Sequence, residues 1–126
     1  MTILGIDYGR KKIGLALSEG ILAEPLTVVR KERSVSRIKE ICKNQGVTKI
    51  VMGLPDSGLV EEIKLFAQKL SGMTGLTVTF QDEVLTSQSA VVKMIEAGRN
   101  RKFRRQKEDA VAAALILESY LEKTNV

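Results

Sequence analysis

The first thirty residues alternate between short apolar runs and turn residues, a pattern typical of β-strands. Apolar and β-branched residues concentrate at positions 2–7, 13–18 and 25–30, and short runs of this kind predict strands. The first two runs are joined by a short basic turn that contains Gly9, whose missing Cβ eases a tight reversal of the chain. The pattern therefore predicts an antiparallel three-stranded meander at the start of the chain.

Beyond residue 34 helical and strand patterns alternate. Four segments carry apolar residues at helical spacing: 35–44, 60–70, 86–97 and 109–121. A continuous apolar run at 49–54 and a β-branched run at 77–81 predict two further strands. Strands that alternate with helices pair in parallel. We expect an α/β fold with a mixed five-stranded sheet, three antiparallel strands followed by parallel ones, flanked by helices.

Length and composition indicate an ordinary globular protein. The 126 residues fit one domain spanning 1–126, and 44% are hydrophobic and 28% charged. No apolar run approaches the roughly 20 residues of a membrane helix, and the N-terminus shows no signal-peptide pattern. Cys42 has no partner for an internal disulfide, which suits a reducing compartment. Because Cys42 lies on the apolar stripe of its predicted helix, we expect it to be a buried structural thiol. We expect a cytoplasmic protein.

The positive charge is concentrated in one segment. The chain has 20 Lys and Arg against 15 Asp and Glu, a net charge of +5, and residues 99–107 hold six of the cations and no acid. A dense basic run attracts polyanions through phosphate contacts, and Phe103 within it could stack on a base. We expect residues 99–108 to form a basic, mobile loop that contacts nucleic acid, although a solvated linker can have the same composition.

Carboxylates occur at the ends of predicted strands and at the start of the last helix. Asp7 ends the first strand, and Asp82 and Glu83 end the last one. A lone aspartate there would more simply cap a turn, but ligands of open α/β sheets bind beyond the carboxyl ends of the strands. Asp109 shares the helix stripe that faces the sheet, and alanines at 110 and 112–114 permit a close approach. We expect Asp109 to lean towards Asp7.

Clustered carboxylates repel one another unless cations hold them. The chain contains no histidine, so its metal ligands would be oxygens, which suit Mg²⁺, Mn²⁺ or Ca²⁺. Two Mg²⁺ or Mn²⁺ ions can clamp the attacking and leaving oxygens of a phosphoryl displacement and activate water without a histidine base. The residues therefore predict metal-dependent cleavage of nucleic-acid phosphodiester bonds.

Four motifs in order resemble the YqgF/RuvX family, relatives of the RuvC resolvases within the RNase H-like superfamily. They read GIDYGRKKIGLALSE, VMGLP, QDEVLTS and EDAVAAALILESYL, and they cover nearly the whole chain. The resemblance implies an RNase H-like three-layer fold and a metal-dependent nuclease that processes the 5′ end of pre-16S rRNA in ribosome biogenesis. The alternative is a Holliday junction resolvase in DNA recombination and repair.

The resemblance also implies site residues. Asp7 matches the acid of the first strand, Asp82 and Glu83 match the acids of the family's Asp-Glu-Arg-Leu-Thr motif, and Asp109 matches the acid of the last helix. All four are implied metal ligands, and Asp7, Glu83 and Asp109 are the implied catalytic residues. The expected contacts to nucleic acid come from the two basic segments: Arg10, Lys11, Lys12, Arg99, Arg101, Lys102, Phe103, Arg104, Arg105 and Lys107. RNA is the favoured partner and DNA the alternative, with ribosomal precursor particles as a further partner and either a monomer or a homodimer as the assembly.

The chain departs from the family pattern at three places, which affect the expected contacts to the substrate and leave the four acids in place. Val84 replaces the motif's arginine, Lys12 replaces an arginine that could bind in bidentate fashion, and the loop after Pro55 is cut to residues 56–58.

Two competing interpretations remain open at this stage. The motif GIDYGRKKIGLAL also looks like the first phosphate loop of actin-like ATPases and sugar kinases, although those proteins need a second domain. A non-catalytic module that binds nucleic acid or ribosomes is the other alternative.

Overall fold

Five strands form one mixed sheet in the computed structural model, which describes residues 1–20, 22–56, 58–82 and 101–124, with 101–107 described by their backbone alone. The strands are β1 (Thr2–Tyr8), β2 (Lys12–Ser18), β3 (Ala23–Arg30), β4 (Val47–Leu54) and β5 (Val78–Asp82). Their order is β3-β2-β1-β4-β5. The β1/β2 and β2/β3 pairs are antiparallel, whereas β4 runs parallel to β1 and β5 parallel to β4. The predicted mixed sheet is confirmed.

Helices cover both faces of the sheet. They are α1 (Ser34–Gln45), α2 (Val60–Thr74) and α3 (Arg101–Thr124), and a short 3₁₀ turn at Lys31–Arg33 precedes α1. Both α1 and α2 end at a glycine in the left-handed conformation, Gly46 and Gly75, a backbone geometry that residues with a Cβ rarely adopt. The helix predicted at 86–97 lies outside the described residues.

The last helix begins earlier than its sequence pattern predicts. The expected helix starts at residue 109, but α3 starts at Arg101. The prediction of a loop through residue 108 is therefore wrong for residues 101–108, whose backbone is helical. Between residue 99 and the end of α3 there is no glycine or proline, and the Lys, Arg, Gln and Glu residues of this segment have high helix propensity. The high density of positive charge in this segment is therefore compatible with a helix.

Side chains alternate between two differently built layers. On one face Leu4 and Ile6 of β1 join a large core with residues of α1 and α2. On the other face Ile3 packs with Ile116 and Leu117 of α3. This alternation follows from the two-residue period of a strand. It also determines which face each edge carboxylate can reach.

Cys42 lies inside the α1/α2 core, with 6% of its surface exposed. Burial raises the pKa of its thiol to about 11. A thiol that stays protonated at neutral pH is a poor nucleophile, so the predicted structural role is confirmed. Among the described residues, no helix combines the length and the apolar character required to cross a bilayer.

Candidate active site at the carboxyl edge of the sheet

Several strands end at the same edge of the sheet. Because β1, β4 and β5 are parallel, their carboxyl ends lie together. Strand β3 ends there as well, since it is antiparallel to β2, which is antiparallel to β1. We call this side the carboxyl edge. Asp7, the next-to-last residue of β1, lies there and is half-buried.

The start of the sheet-packed part of α3 rests on a glycine directly opposite Asp7. Asp7 pairs with Gly14 across the β1/β2 ladder, and such partners share a face with Cα atoms about 4.5–5.5 Å apart. A Cβ added to Gly14 would lie 1.9 Å from the carbonyl oxygen of Asp109. The backbone of Asp109 therefore occupies the space of the missing side chain. This contact brings Asp109 to the level of Asp7 on the same face of the sheet.

One helical turn further on, a second glycine repeats the close approach. A Cβ on Gly5 would lie 2.9 Å from the carbonyl oxygen of Ala113. Ala113 and Ala114 are buried and pack against Ala16 of β2. The alanine-rich helix thus lies close to the strands, as its sequence predicts. Small residues on both partners hold the direction and height of α3 at the carboxyl edge.

Asp82 does not share the face of Asp7. Asp82 pairs with Leu54, and Leu54 packs against the α1/α2 core. Gln81 pairs instead with Gly53 and, by the two-residue period, faces α3. Gln81 is 7% exposed. The sequence analysis treated Asp82 and Glu83 alike and did not consider Gln81. Because side chains alternate along a strand, Gln81 and Asp82 have to lie on opposite faces of β5.

Of the predicted metal ligands, Asp7 and the backbone of Asp109 lie at one level of the sheet, on the face covered by α3. Glu83 lies outside the described residues. Within the described part of the chain no group of three or more Asp, Glu or Cys side chains lies close enough together to hold a metal ion.

On the opposite face, the end of β1 is held by a polar cluster. The Tyr8 hydroxyl donates to Glu62 Oε2 at 2.7 Å, and Lys31 Nζ donates to the same oxygen at 2.9 Å. The ammonium of Lys31 also lies 5.1 Å from the centre of the Tyr8 ring. Hydrogen bonds from Lys31 and Tyr8 hold the pKa of Glu62 below its usual range. The cluster joins β1, α2 and the turn before α1 directly behind Asp7.

Cations line the carboxyl edge beside these acids. The turn between β1 and β2 carries exposed Arg10, Lys11 and Lys12, and it is closed by a hydrogen bond from Gly9 N–H to the Lys12 carbonyl at 3.0 Å. Lys12 is the cross-strand partner of exposed Arg30. Like charges directly opposite one another destabilise a sheet, so an anion between them would be stabilising.

Sequence reasoning missed the contribution of β3 and the turn that follows it. Arg30 and Arg33 are exposed at the same edge as the β1/β2 turn. The run RKER at residues 30–33 was a detectable signal, but its proximity to residues 10–12 depends on the β2/β3 pairing. Of the other predicted basic segment, Arg99 lies outside the described residues. Residues 101–107 are placed as helical backbone that adds two turns before Asp109.

Comparison with known proteins shows the family to which the chain belongs. A family model described as "RuvX: Holliday junction resolvase" matches residues 1–123. The chain belongs to the RuvX family. Relatives named "Putative pre-16S rRNA nuclease" occur in Moorella thermoacetica, 38% identical over 98% of this chain and 96% of the relative, and in Pelotomaculum thermopropionicum, 42% identical over 97% and 87%. A relative of the same name in Listeria innocua is 36% identical over 99% of this chain and its whole length.

Solved structures with low sequence identity share the fold of this RuvX member. Thermus thermophilus RuvC in complex with a Holliday junction substrate has a TM-score of 0.65 at 18% identity, covering 98% of this chain and 96% of that one. The fowlpox virus Holliday junction resolvase has a TM-score of 0.64 at 16% identity, covering 98% and 99%. The predicted RNase H-like fold and family are confirmed, and with the family the prediction of a nuclease acting on phosphodiester bonds.

Proposed function

We propose that this RuvX member is a metal-dependent nuclease that processes the 5′ end of pre-16S rRNA. The observation that carries the proposal is the contact of the Asp109 backbone with Gly14, directly opposite Asp7. A helix that approaches this closely is needed to set a second carboxylate beside the first. The proposed substrate class comes from the names of the relatives. We propose that cleavage takes place on ribosomal precursor particles in the cytoplasm.

The donor set suits a hard divalent cation. Asp7 and Asp109 would provide carboxylate oxygens, and oxygen ligands are those that Mg²⁺ and Mn²⁺ prefer. Glu83, an acid of the family motif, follows Asp82 directly in the chain. We propose that these three residues hold the metal and that Asp82 is not a principal ligand. A bound divalent cation would neutralise charge on the phosphoryl group and make water a better nucleophile.

The chain itself contributes position and charge. Half-burial and the close packing of α3 limit the movement of Asp7 and Asp109. Exposed cations at the carboxyl edge would hold phosphates on either side of the scissile bond, which aligns the strand without reading its sequence. Buried Gln81, on the same face, would be available to hydrogen-bond a carboxylate of the site. Positioning of this kind supplies much of the rate enhancement in phosphoryl transfer.

Cleavage of a labelled RNA containing the pre-16S 5′ region tests the proposal. The wild-type protein is expected to cleave in Mg²⁺ or Mn²⁺ and to be inactive in EDTA. Asp7→Asn and Asp109→Asn should each abolish cleavage. In EDTA their folds should be at least as stable as the wild type, because removing one charge relieves repulsion between carboxylates.

The matched control is Glu122→Gln, which removes a charge from an exposed residue near the end of α3, away from the carboxyl edge. It should leave cleavage nearly unchanged. Wild-type activity in Asp7→Asn would show that Asp7 is not a metal ligand and would refute the proposed site.

Holliday junction resolution is the second candidate, because the matching family model carries that description. A resolvase cuts two strands and needs two active sites, hence a dimer. Incubating the protein with a labelled four-way junction and measuring its mass in solution separates the candidates. Symmetric junction cleavage by a dimer, with no RNA cleavage, would replace the rRNA proposal.

A further inference from the structure

A groove of about 810 Å³ separates α1 from α2 on the face opposite α3. Its apolar lining comes from Val35, Phe66 and Met73, and Met73 is 48% exposed. Lysines stand along both walls: Lys39 and Lys43 on α1 and Lys69 on α2. The groove therefore combines an apolar floor with a cationic rim.

Most of the acidic charge near the groove is already neutralised. Lys31 at one end pairs with Glu62 at 2.9 Å, and Glu40 pairs with Arg37 at 3.6 Å. Among the described residues the other three lysines form no ion pair, and Glu32 is the one remaining acid of the lining. Three cations thus face one anion around the groove. An anionic occupant would complement this surface.

Spacing and aromatic content favour a nucleic-acid strand. Lys39 and Lys43 are four residues apart on one helix, about 6 Å along its axis, a step suited to neighbouring phosphates. Phe66 packs against Tyr8 with ring centres 4.9 Å apart and also lines the groove. A charged groove with an aromatic surface is the arrangement by which proteins bind single strands without sequence preference.

One end of the groove adjoins the carboxyl edge. Glu32 borders both the groove and a smaller depression that includes Arg30 and Arg33. Lys31 lies at the junction, since its side chain lines the groove while its backbone N–H donates to the Lys11 carbonyl at 3.0 Å. A strand leaving the active site could follow these cations around the end of β3 and enter the groove.

We propose that the α1/α2 groove is a second binding site, which holds a single-stranded segment of the RNA flanking the cleavage site. The proposal deepens the function proposed above and rests on it. Phosphates lie along the lysines, and a base stacks in the apolar floor beside Phe66. The groove raises affinity and selects substrates with an unpaired flank, and it takes no part in chemistry.

The test measures binding of a labelled 20-nucleotide single-stranded RNA in EDTA as a function of salt. Lys43→Gln/Lys69→Gln should weaken binding roughly tenfold near 0.1 M salt and lower the log–log salt slope by up to ~1.4, about 0.7 for each lost phosphate contact. Phe66→Leu should weaken binding about fivefold or more with the slope unchanged, because stacking is lost and charge is not. Lys64→Gln/Lys123→Gln is the control of equal charge, with both residues exposed outside the groove.

Cleavage of an RNA with an unpaired flank in Mg²⁺ gives the second measurement. The groove variants should raise KM and leave kcat unchanged, because contacts to non-reacting nucleotides are made equally in the ground and transition states. Binding losses equal to those of the control, or tighter binding of poly-glutamate than of RNA, would overturn the proposal. Because binding is read in EDTA, an absence of nuclease activity would refute the proposed function without altering the result for the groove.

Discussion

The two faces of the sheet are packed in different ways. The face under α1 and α2 is filled by large aliphatic side chains, with Leu4, Ile63 and Leu70 among the completely buried ones. The face under α3 also buries aliphatic side chains such as Ile116 and Leu117, but glycine and alanine lie where the helix comes closest, and the backbone of α3 approaches Gly5 and Gly14. Burial of large side chains contributes most of the hydrophobic stabilisation. Close contact contributes less burial for each residue but holds a helix at a defined height.

This difference separates stability from positioning. An aliphatic layer can lose a methylene group and relax partly around the gap. A backbone oxygen in the place of a Cβ leaves no room to relax, because both partners are parts of regular elements. We therefore expect substitutions on the α3 face to reduce mainly activity, and substitutions on the α1/α2 face to reduce mainly stability.

The largest expected effect comes from a comparison of the neighbouring acids Asp82 and Glu83, because the strand register assigns Asp82 to the α1/α2 side. Glu83→Gln should reduce cleavage by about a thousandfold, the loss typical of a positioned catalytic group. Asp82→Asn should cost less than tenfold, since Asp82 pairs with Leu54 on the α1/α2 side. Single-turnover cleavage rates at saturating Mg²⁺ provide the measurement. Equal losses, or a greater loss in Asp82→Asn, would show that β5 twists its last residue towards Asp7.

The next effect tests close packing itself. In Gly14→Ala the new methyl group would meet the Asp109 carbonyl oxygen at 1.9 Å, so α3 has to move. We expect a loss of at least about 100-fold in kcat, as a displacement near 1 Å can produce, and destabilisation by about 3 kcal/mol.

Gly20→Ala is the matched control, because a Cβ there meets nothing within 4 Å. In urea denaturation and in cleavage assays, this control should have nearly the stability and the activity of the wild type. Normal activity in Gly14→Ala would mean that α3 does not need its present height for chemistry.

The aliphatic face should respond in the reverse manner. Leu70 is completely buried on α2, and Leu70→Ala should lower the free energy of unfolding by about 2–5 kcal/mol. Its cleavage rate, measured well below the melting temperature, should stay within a few-fold of wild type. Leu65→Ala on the same helix is the control, since Leu65 is 66% exposed and should change stability by less than about 0.5 kcal/mol. A loss of kcat in folded Leu70→Ala would couple the two faces.

The smallest effect concerns the polar cluster behind Asp7. The pKa of Glu62 is lowered in the folded state by hydrogen bonds from Lys31 and Tyr8. Its stabilising contribution is therefore present above the unfolded carboxyl pKa of about 4.3 and is lost as the pH falls through the folded value. Thermal melts should show Glu62→Gln slightly less stable than wild type at pH 7 and equal to it near pH 3.

The neighbouring exposed Glu61 offers the control for that measurement. Glu61→Gln should match wild type at both pH values. A difference between wild type and Glu62→Gln that persists at pH 3 would show that the shape of the side chain matters more than its charge.

The sequence by itself determined most of the local structure. Apolar period and turn residues were enough to predict the strands and the order of the elements that the structure describes, because the two-residue and 3.6-residue periods are local properties of the chain. The burial of Cys42 followed from its place on an apolar stripe. The strand-end position of Asp7 and the approach of an alanine-rich helix were predicted in the same way. Four motifs in order were enough to predict the family.

Tertiary structure alone decided which distant residues meet. The contact between Gly14 and Asp109 joins positions 95 residues apart, and no local pattern specifies which glycine receives the helix. Strand register assigned Asp82 to one face and Gln81 to the other, and a shift of one residue would have exchanged them. The groove between α1 and α2 depends on helix packing across the sheet. Such contacts depend on long-range packing of the whole chain, so they become defined only when the chain is folded.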